Sequence, residues 1–335
     1  MELELLREAG FSEVRKFLEG EFGRDEPRKQ TDAFWRWKCT EPHPFWPESR
    51  GFLRRSGGEI VAYGGLIPLR FLTAHGSVPS GHVIDWAATR RVPGAGIRLY
   101  KAIAERAGSA IGIGGAASTR ELLPLIGAVK HQSVFSFQRV VNPLGLTLTG
   151  RKDWKLPARF LRALRYALPP LPHVPSSWEA VPVSRFDDSV TPVLPRPSHR
   201  NIVVPERTVD LLNYWLRCPI AGTQGYLLVR DGQITGYFLL SVVPPAGRIS
   251  DLWIDSDRIE LWRYAYSLAF RSVAQLPGVL VADTMSGDPL VCAALQQMSL
   301  RQMSANQVFL LDRNRTLPAG VPIALSMTDY DAFYL

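Results

Sequence analysis

The sequence predicts a mixed α/β protein made of two fused repeats, each a mixed sheet flanked by helices. At 335 residues the chain exceeds the size at which a single hydrophobic core keeps growing. Its 46% hydrophobic and 21% charged residues match a folded globular chain rather than a disordered one. The same succession of helical and extended segments occurs twice, on either side of a basic stretch rich in proline.

The opening MELELLREAGFSEVRKFLEGEF spaces its apolar positions as a helix does and carries acidic residues, unlike a secretory signal. An aromatic helix is expected over Asp32–Cys39, and its counterpart Asp210–Cys218 repeats the aromatic-then-basic ending. Hairpins follow. Gly51–Arg55 turns at Ser56-Gly57-Gly58-Glu59 into Ile60–Leu66, and Gly225–Arg230 turns at Asp231-Gly232 into Gln233–Leu239; Asp-Gly between apolar runs is a strong hairpin signal. A short strand holding an acidic residue comes next, His82–Ala87 against Arg248–Trp253. Apolar residues at three- and four-residue steps then predict helices from about Gly96 to Ala107 and from Arg258 to Gln275. Strands at Ala110–Gly114 and Val279–Thr284, helices at Thr119–Ile126 and Pro289–Gln297, and closing strands at Ser133–Val141 and Gln307–Leu311 complete the two series. Each repeat thus starts antiparallel and ends in a βαβ crossover.

The boundary is expected where proline accumulates, at Leu168–Pro172 and Val190–Pro197, because proline fixes φ and lacks a donor. Between Leu144 and Arg200 nine Lys or Arg face four Asp or Glu, 9 − 4 = +5 of the chain's net +8. The division follows as residues 1–143, a connector 144–200, and residues 201–335. Trp154–Tyr166 places Arg159, Arg162 and Arg165 at helical spacing, a short amphipathic helix expected to pack on a domain rather than lie on a membrane surface. No run of ~18 apolar residues suggests a membrane span. Cys39, Cys218 and Cys292 lie far apart, which argues against a disulfide framework or a metal site. A cytoplasmic protein without a metal is the expectation.

The chemistry-bearing motif is Arg91-Val92-Pro93-Gly94-Ala95-Gly96-Ile97, an R-x-x-G-x-G pattern between strand and helix. Glycines let the backbone close round an anion, the helix N-terminus donates its N–H groups, and Arg91 adds charge. The dinucleotide and Walker patterns are not matched. The stretch resembles the coenzyme A pyrophosphate loop of GNAT acyl-CoA N-acyltransferases, and the element order resembles that fold from about Leu5 to Val141 and, more loosely, from Arg207 to Leu335. The resemblance implies that the pantetheine arm of acetyl-CoA or another acyl-CoA runs along Trp86-Ala87-Ala88-Thr89, with the acyl group in the opening beside Ile111–Gly115. In the second repeat the equivalent turn, Ile254–Glu260, lacks glycine and carries Asp255, Asp257 and Glu260, which repel pyrophosphate. That half is expected to bind no coenzyme and to help form the acceptor pocket.

Attack by an amine on a thioester needs a base and an acid. Asp85, on the cofactor strand, is the candidate base or else a structural partner; Ser118 and Thr119 are candidate donors to the thiolate or else helix caps. The helix over Thr119–Ile126 has no counterpart of the tyrosine the family often uses. His131 reads as a surface histidine, Trp35, Trp37, Tyr214 and Trp215 as core or as an acceptor wall, and Asp329-Tyr330-Asp331 as a cation site or solvated tail. The expected activity is acyl transfer to an amine of a small molecule or amino sugar, with no DNA partner. Two alternatives stand beside it: a FemABX-like transferase using aminoacyl-tRNA, for which the doubling and the basic connector speak, and a GNAT-fold binding protein without catalysis.

Overall fold

The computed structural model describes residues 2–23, 31–149, 156–167, 169–196 and 200–334. The first repeat contains β1 (Glu4–Leu5), α1 (Phe11–Phe22), α2 (Asp32–Trp35) running into a π-helical turn at Arg36–Thr40, β2 (Gly51–Ser56), β3 (Glu59–Thr73), β4 (Gly76–Ala88), α3 (Ala95–Ala107), β5 (Ala110–Ile113), α4 (Ala117–Leu125) and β6 (Val129–Val140). After α5 (Pro143–Leu148), α6 (Leu156–Ala167), β7 (Trp178–Val183) and β8 (Val204–Pro205) comes the second repeat. It comprises α7 (Val209–Leu216), β9 (Gln224–Arg230), β10 (Gln233–Val243), β11 (Ala246–Ile254), α8 (Ile259–Ala274), β12 (Val281–Ser286), α9 (Pro289–Gln297) and β13 (Arg301–Leu311).

Each hairpin forms where its turn chemistry places it, with Asp231 and Gly232 at φ 52° and 75°, the positive values a two-residue turn demands. The strands make one sheet in the order β1-β2-β3-β4-β5-β13-β6-β12-β11-β10-β9-β7. The closing strands are exchanged. β13 pairs antiparallel with β5 of the first repeat, β6 pairs antiparallel with β12 of the second, and β6 and β13 pair with each other. Each repeat's sheet is therefore completed by a strand from the other.

The connector contributes structure of its own. β7 is the edge strand beside β9, and Pro182 within it occupies a place where proline is tolerated. The start of the basic amphipathic helix, Trp154 and Lys155, and Leu168 and Pro197 of the proline runs lie outside the described residues. From Leu156 the helix is present as α6 and packs on α5 and β6, with Arg139 donating to the carbonyls of Ala167 (2.9 Å) and Pro169 (2.7 Å) at its end.

On one face of the first sheet Leu99 and Ile103 of α3 and Leu123 of α4 pack against Phe52, Ala62 and Val83. On the other, Phe34, Trp35 and Trp37 join Tyr214, Trp215, Phe333 and Tyr334 in a core that continues under the second sheet.

Candidate active site

The central feature is a split in the first sheet. β4 and β5 pair only at Gly81↔Ala110 and His82↔Ile111, then diverge. The pairs Tyr63↔Ala87 and Gly65↔Ile84 enclose one more residue on β4 than on β3, a bulge that puts Asp85 at φ 47°. This left-handed conformation costs a non-glycine residue about 1–3 kcal/mol and marks the point where β4 bends away. On the other side Gly114 and Gly115, at φ 68° and 85°, turn the chain from β5 towards α4. A cavity of about 520 Å³ fills the gap, lined by Val83–Trp86, Tyr100, Gly112–Ala116 and Thr119, with Phe34, Trp35, Lys38, Tyr330 and Asp331 at its other end.

The glycine loop stands at the N-terminus of α3. Gly94 is its N-cap at φ 74°, and no side chain caps the helix and no acidic residue occupies its first turn, so the first N–H groups have no partner within the helix. Arg90 and Arg91 precede it, exposed. Arg91 is 86% exposed and 4.0 Å from Glu59. Arg98, which the sequence reading missed, folds back to donate to the Pro93 carbonyl at 3.3 Å. Cations at a helix N-terminus oppose its dipole by about 0.3–1 kcal/mol each, a cost an anion between them reverses. Gly96 serves a second purpose. A Cβ there would lie 2.8 Å from Ala88 Cβ and 3.2 Å from Trp86 Nε1, and Trp86 Nε1 donates to the Gly96 carbonyl at 2.9 Å. The structure thus gathers Trp86, Ala88, Val92, Pro93, Gly94, Ala95, Gly96 and Ile97 at one junction. The cavity lining ends at Trp86; the small size of Ala88 serves the close approach of α3, and Ala87 is buried.

Asp85 lines the cavity and is ion-paired with Lys38, whose ammonium also lies 5.2 Å from the Trp35 ring and 5.5 Å from Phe34. Burial disfavours that ammonium, but Asp85, with Cys39 and Asp331 behind it, more than offsets the penalty and raises the amine's pKa. The π-helical turn bearing Lys38 is held by buried Arg50, which donates to the carbonyls of Trp37, Lys38 (3.0 Å) and Glu41 (2.6 Å). His82, at the fork of the split, is held neutral by burial, its pKa lowered to about 4, and its ring stacks on Tyr330 at 5.3 Å. Burial, with Asp331 adding to it, raises the Tyr330 phenol to about 12. Tyr100 is 2% exposed and its hydroxyl has no hydrogen-bond partner.

Of the proposed thiolate donors, Thr119 lines the cavity whereas Ser118 is exposed, because adjacent helical residues point to different faces. Neither caps α4, whose N-cap is Ala116. His131 is bound to the Val321 carbonyl at 2.9 Å and is not among the residues that line the cavity. Trp35 faces the cavity, but Trp37, Tyr214 and Trp215 belong to the core. The acidic ending divides: Asp329 is fully buried against Arg207 at 2.8 Å, while Tyr330 and Asp331 reach the cavity. Lys38 and Tyr100 are the main site residues sequence reasoning missed, and Tyr330 was read only as part of a cation site or solvated tail. For Lys38 the only signal was the aromatic helix that ends there; for Tyr100 there was none.

The corresponding split of the second repeat is closed. β11 and β12 diverge after Ile249↔Thr284, but Arg207, Tyr237, Trp253, Trp262, Tyr266 and Ser326 leave only about 30 Å³. α8 carries Glu260 in its first turn, paired with Arg258 at 3.0 Å. Among the described residues no group of His, Cys, Asp and Glu could hold a metal ion, and no helix is long and apolar enough to cross a membrane.

No family model matches the chain, and no curated protein does. Solved structures do. A tandem GNAT protein from the clavulanic acid biosynthesis pathway is 13% identical over 92% of this chain and 97% of its own, with a TM-score of 0.57. N-myristoyltransferase of Saccharomyces cerevisiae with bound myristoyl-CoA is 14% identical over 93% and 82%, with a TM-score of 0.60. A GCN5-related N-acetyltransferase from Anabaena variabilis is 13% identical over 92% and 72%, with a TM-score of 0.56. Likeness at this level of identity speaks for architecture, and together with the repeated helix-flanked sheets and the split between β4 and β5 it shows that this chain has the tandem GNAT fold.

Proposed function

We propose that the protein transfers an acyl group, in the simplest case acetyl, from coenzyme A to the amine of a small molecule or amino sugar by direct attack in a ternary complex. The observation that carries this reading is the asymmetry of the two splits. One opens a cavity of about 520 Å³ next to an uncapped, glycine-led and arginine-flanked helix N-terminus; the other is reduced to about 30 Å³ beside an acidic one. The bound myristoyl-CoA of one fold relative supports a coenzyme A thioester as the donor class.

In this reading the N–H groups of Gly94, Gly96 and Ile97, with Arg91 and Arg98, bind the pyrophosphate, while the Ala95 N–H closes the loop on the Val92 carbonyl at 3.2 Å. The pantetheine arm follows β4 past Ala88 and Ala87 to Trp86, and the thioester enters the split. The acceptor comes from the side of Trp35, Lys38 and Asp331. Asp85 takes a proton from the acceptor ammonium, directly or through water, and the free amine attacks the carbonyl carbon. The C–S bond then breaks, and the departing thiolate takes a proton from the Tyr330 hydroxyl, with Thr119 as a hydrogen-bond donor beside it. Tyr330 supplies from the far end of the chain the group that α4 lacks.

Calorimetric titration with acetyl-CoA tests the cofactor half of the reading. Gly94→Asp sets a carboxylate against the pyrophosphate and strains a left-handed backbone, so binding is expected to fall at least ~100-fold while the fold persists. Failure of the unaltered protein to bind acetyl-CoA or a longer acyl-CoA overturns the proposal. Release of free thiol across a panel of amines then identifies the acceptor.

A further inference from the structure

We propose that the closed cleft of the second repeat is an anchor that presents Tyr330 and Asp331 to the acyl-transfer cavity of the first, which makes Arg207 a positioning residue for a site on the other half of the sheet. The inference rests on the acyl-transfer reading above. Arg207 is 6% exposed and occupies the place between β11 and β12 that corresponds to the open cavity between β4 and β5. Its guanidinium donates to Asp251 (3.0 Å) on one side and, on the other, to Ser326 (3.2 Å), Thr328 (3.3 Å) and Asp329 (2.8 Å) of the last segment of the chain. Tyr237 donates to the same Asp251 at 2.8 Å. Asp329 in turn accepts the Ser326 N–H at 2.9 Å, closing a short turn.

The segment is held at two further points. Gln132 exchanges hydrogen bonds of 2.8 and 2.7 Å with the backbone of Ile323, and Ser241 donates to the Phe333 carbonyl at 3.0 Å. Tyr330 and Asp331 lie between the Asp329 and Phe333 attachments and are the residues of this segment that line the large cavity. A buried ion pair is seldom the most stable filling for a space that apolar side chains could occupy. What it adds is a fixed position for the backbone it grips, and here the next two residues are the ones that line the cavity of the first repeat. The degenerate half has thus exchanged a coenzyme cleft for a clamp.

The test compares the full-length protein with Arg207→Lys, Tyr330→Phe and the double variant. Arg207→Lys is expected to speed amide exchange across residues 326–334 by about tenfold or more and to lower kcat about tenfold, with the acetyl-CoA Kd within about twofold. Adding Tyr330→Phe to it should cost clearly less than the product of the two single losses, because part of the Arg207→Lys effect acts through Tyr330. If Arg207→Lys does not fold, Ser326→Ala, which removes one hydroxyl of the turn, gives the same pattern in smaller measure. Unchanged exchange in 326–334 with either variant, or losses in kcat that multiply fully, overturns the clamp. The exchange measurement needs no turnover, so it judges the clamp even where acetyl-CoA fails to bind and the acyl-transfer reading falls.

Discussion

Replacing Gly96 by alanine separates two roles that one glycine plays. Alanine favours a helix over glycine by up to about 1 kcal/mol, so a position that needed only helical backbone would be stabilised. Here the new Cβ meets Ala88 Cβ at 2.8 Å and Trp86 Nε1 at 3.2 Å. Both neighbours are fixed, Ala88 by the ladder to Ala62 and Trp86 by its bond to the Gly96 carbonyl and its contact with Tyr100 at 4.9 Å. Overpacking of this kind costs about 1–3 kcal/mol, leaving a net loss of up to about 2 kcal/mol. The start of α3 moves outward, and the N–H groups of the loop with it. Ala88→Gly alone costs about 0.5–1 kcal/mol by weakening the strand, yet in the double variant it vacates the space the new methyl needs. A cycle of urea unfolding midpoints and acetyl-CoA affinities over the four proteins checks this. The double variant should be more stable than the sum of the single losses by about 1 kcal/mol or more, and should regain part of the affinity. Strict additivity would refute the contact as the reason for glycine, and a Gly96→Ala protein more stable than the parent would refute the whole steric argument.

Two further expectations concern the cavity walls. His82 is neutral in the fold down to about pH 4, whereas the unfolded chain takes up a proton below about 6.5. Its contribution is therefore complete above pH 6.5 and lost as pH falls towards 4, about 3 kcal/mol in all; denaturation across that range should show a shallower decline for His82→Gln, with His43, also lowered by burial, leaving a remainder, and an unchanged slope would contradict the burial argument. Tyr100→Phe removes a buried hydroxyl without a partner, so the unliganded protein should lose no stability and gain up to about 1 kcal/mol; a loss above about 1 kcal/mol in urea unfolding would show that the hydroxyl is already bonded.

Most elements were legible because their signals are local. The predicted helix over Pro289–Gln297 and the hairpin turn at Asp231-Gly232 coincide with the structure, since periodicity and turn chemistry act within a few residues. Arg91, Gly94 and Gly96 were recognisable as a loop for the same reason. The residues the sequence did not point to are those whose meaning depends on distant partners. Lys38 looks like the polar end of an aromatic helix until Asp85 is placed beside it, and Tyr100 looks like one more apolar position of α3 until its ring is placed in the cavity wall with its hydroxyl buried beside Gly112.

By itself the sequence determined the two repeated series of elements and the absence of glycine from the turn before the second repeat's long helix. Only the tertiary structure decided that β6 and β13 change places, that the second cleft is filled by Arg207, and that Tyr330 and Asp331 travel from the end of the chain to the first cavity. Strand exchange leaves each strand's own pattern unaltered, since an exchanged strand and a retained one bury the same face against equivalent neighbours. Which sheet receives it is set by packing between segments more than a hundred residues apart, and no local pattern records that.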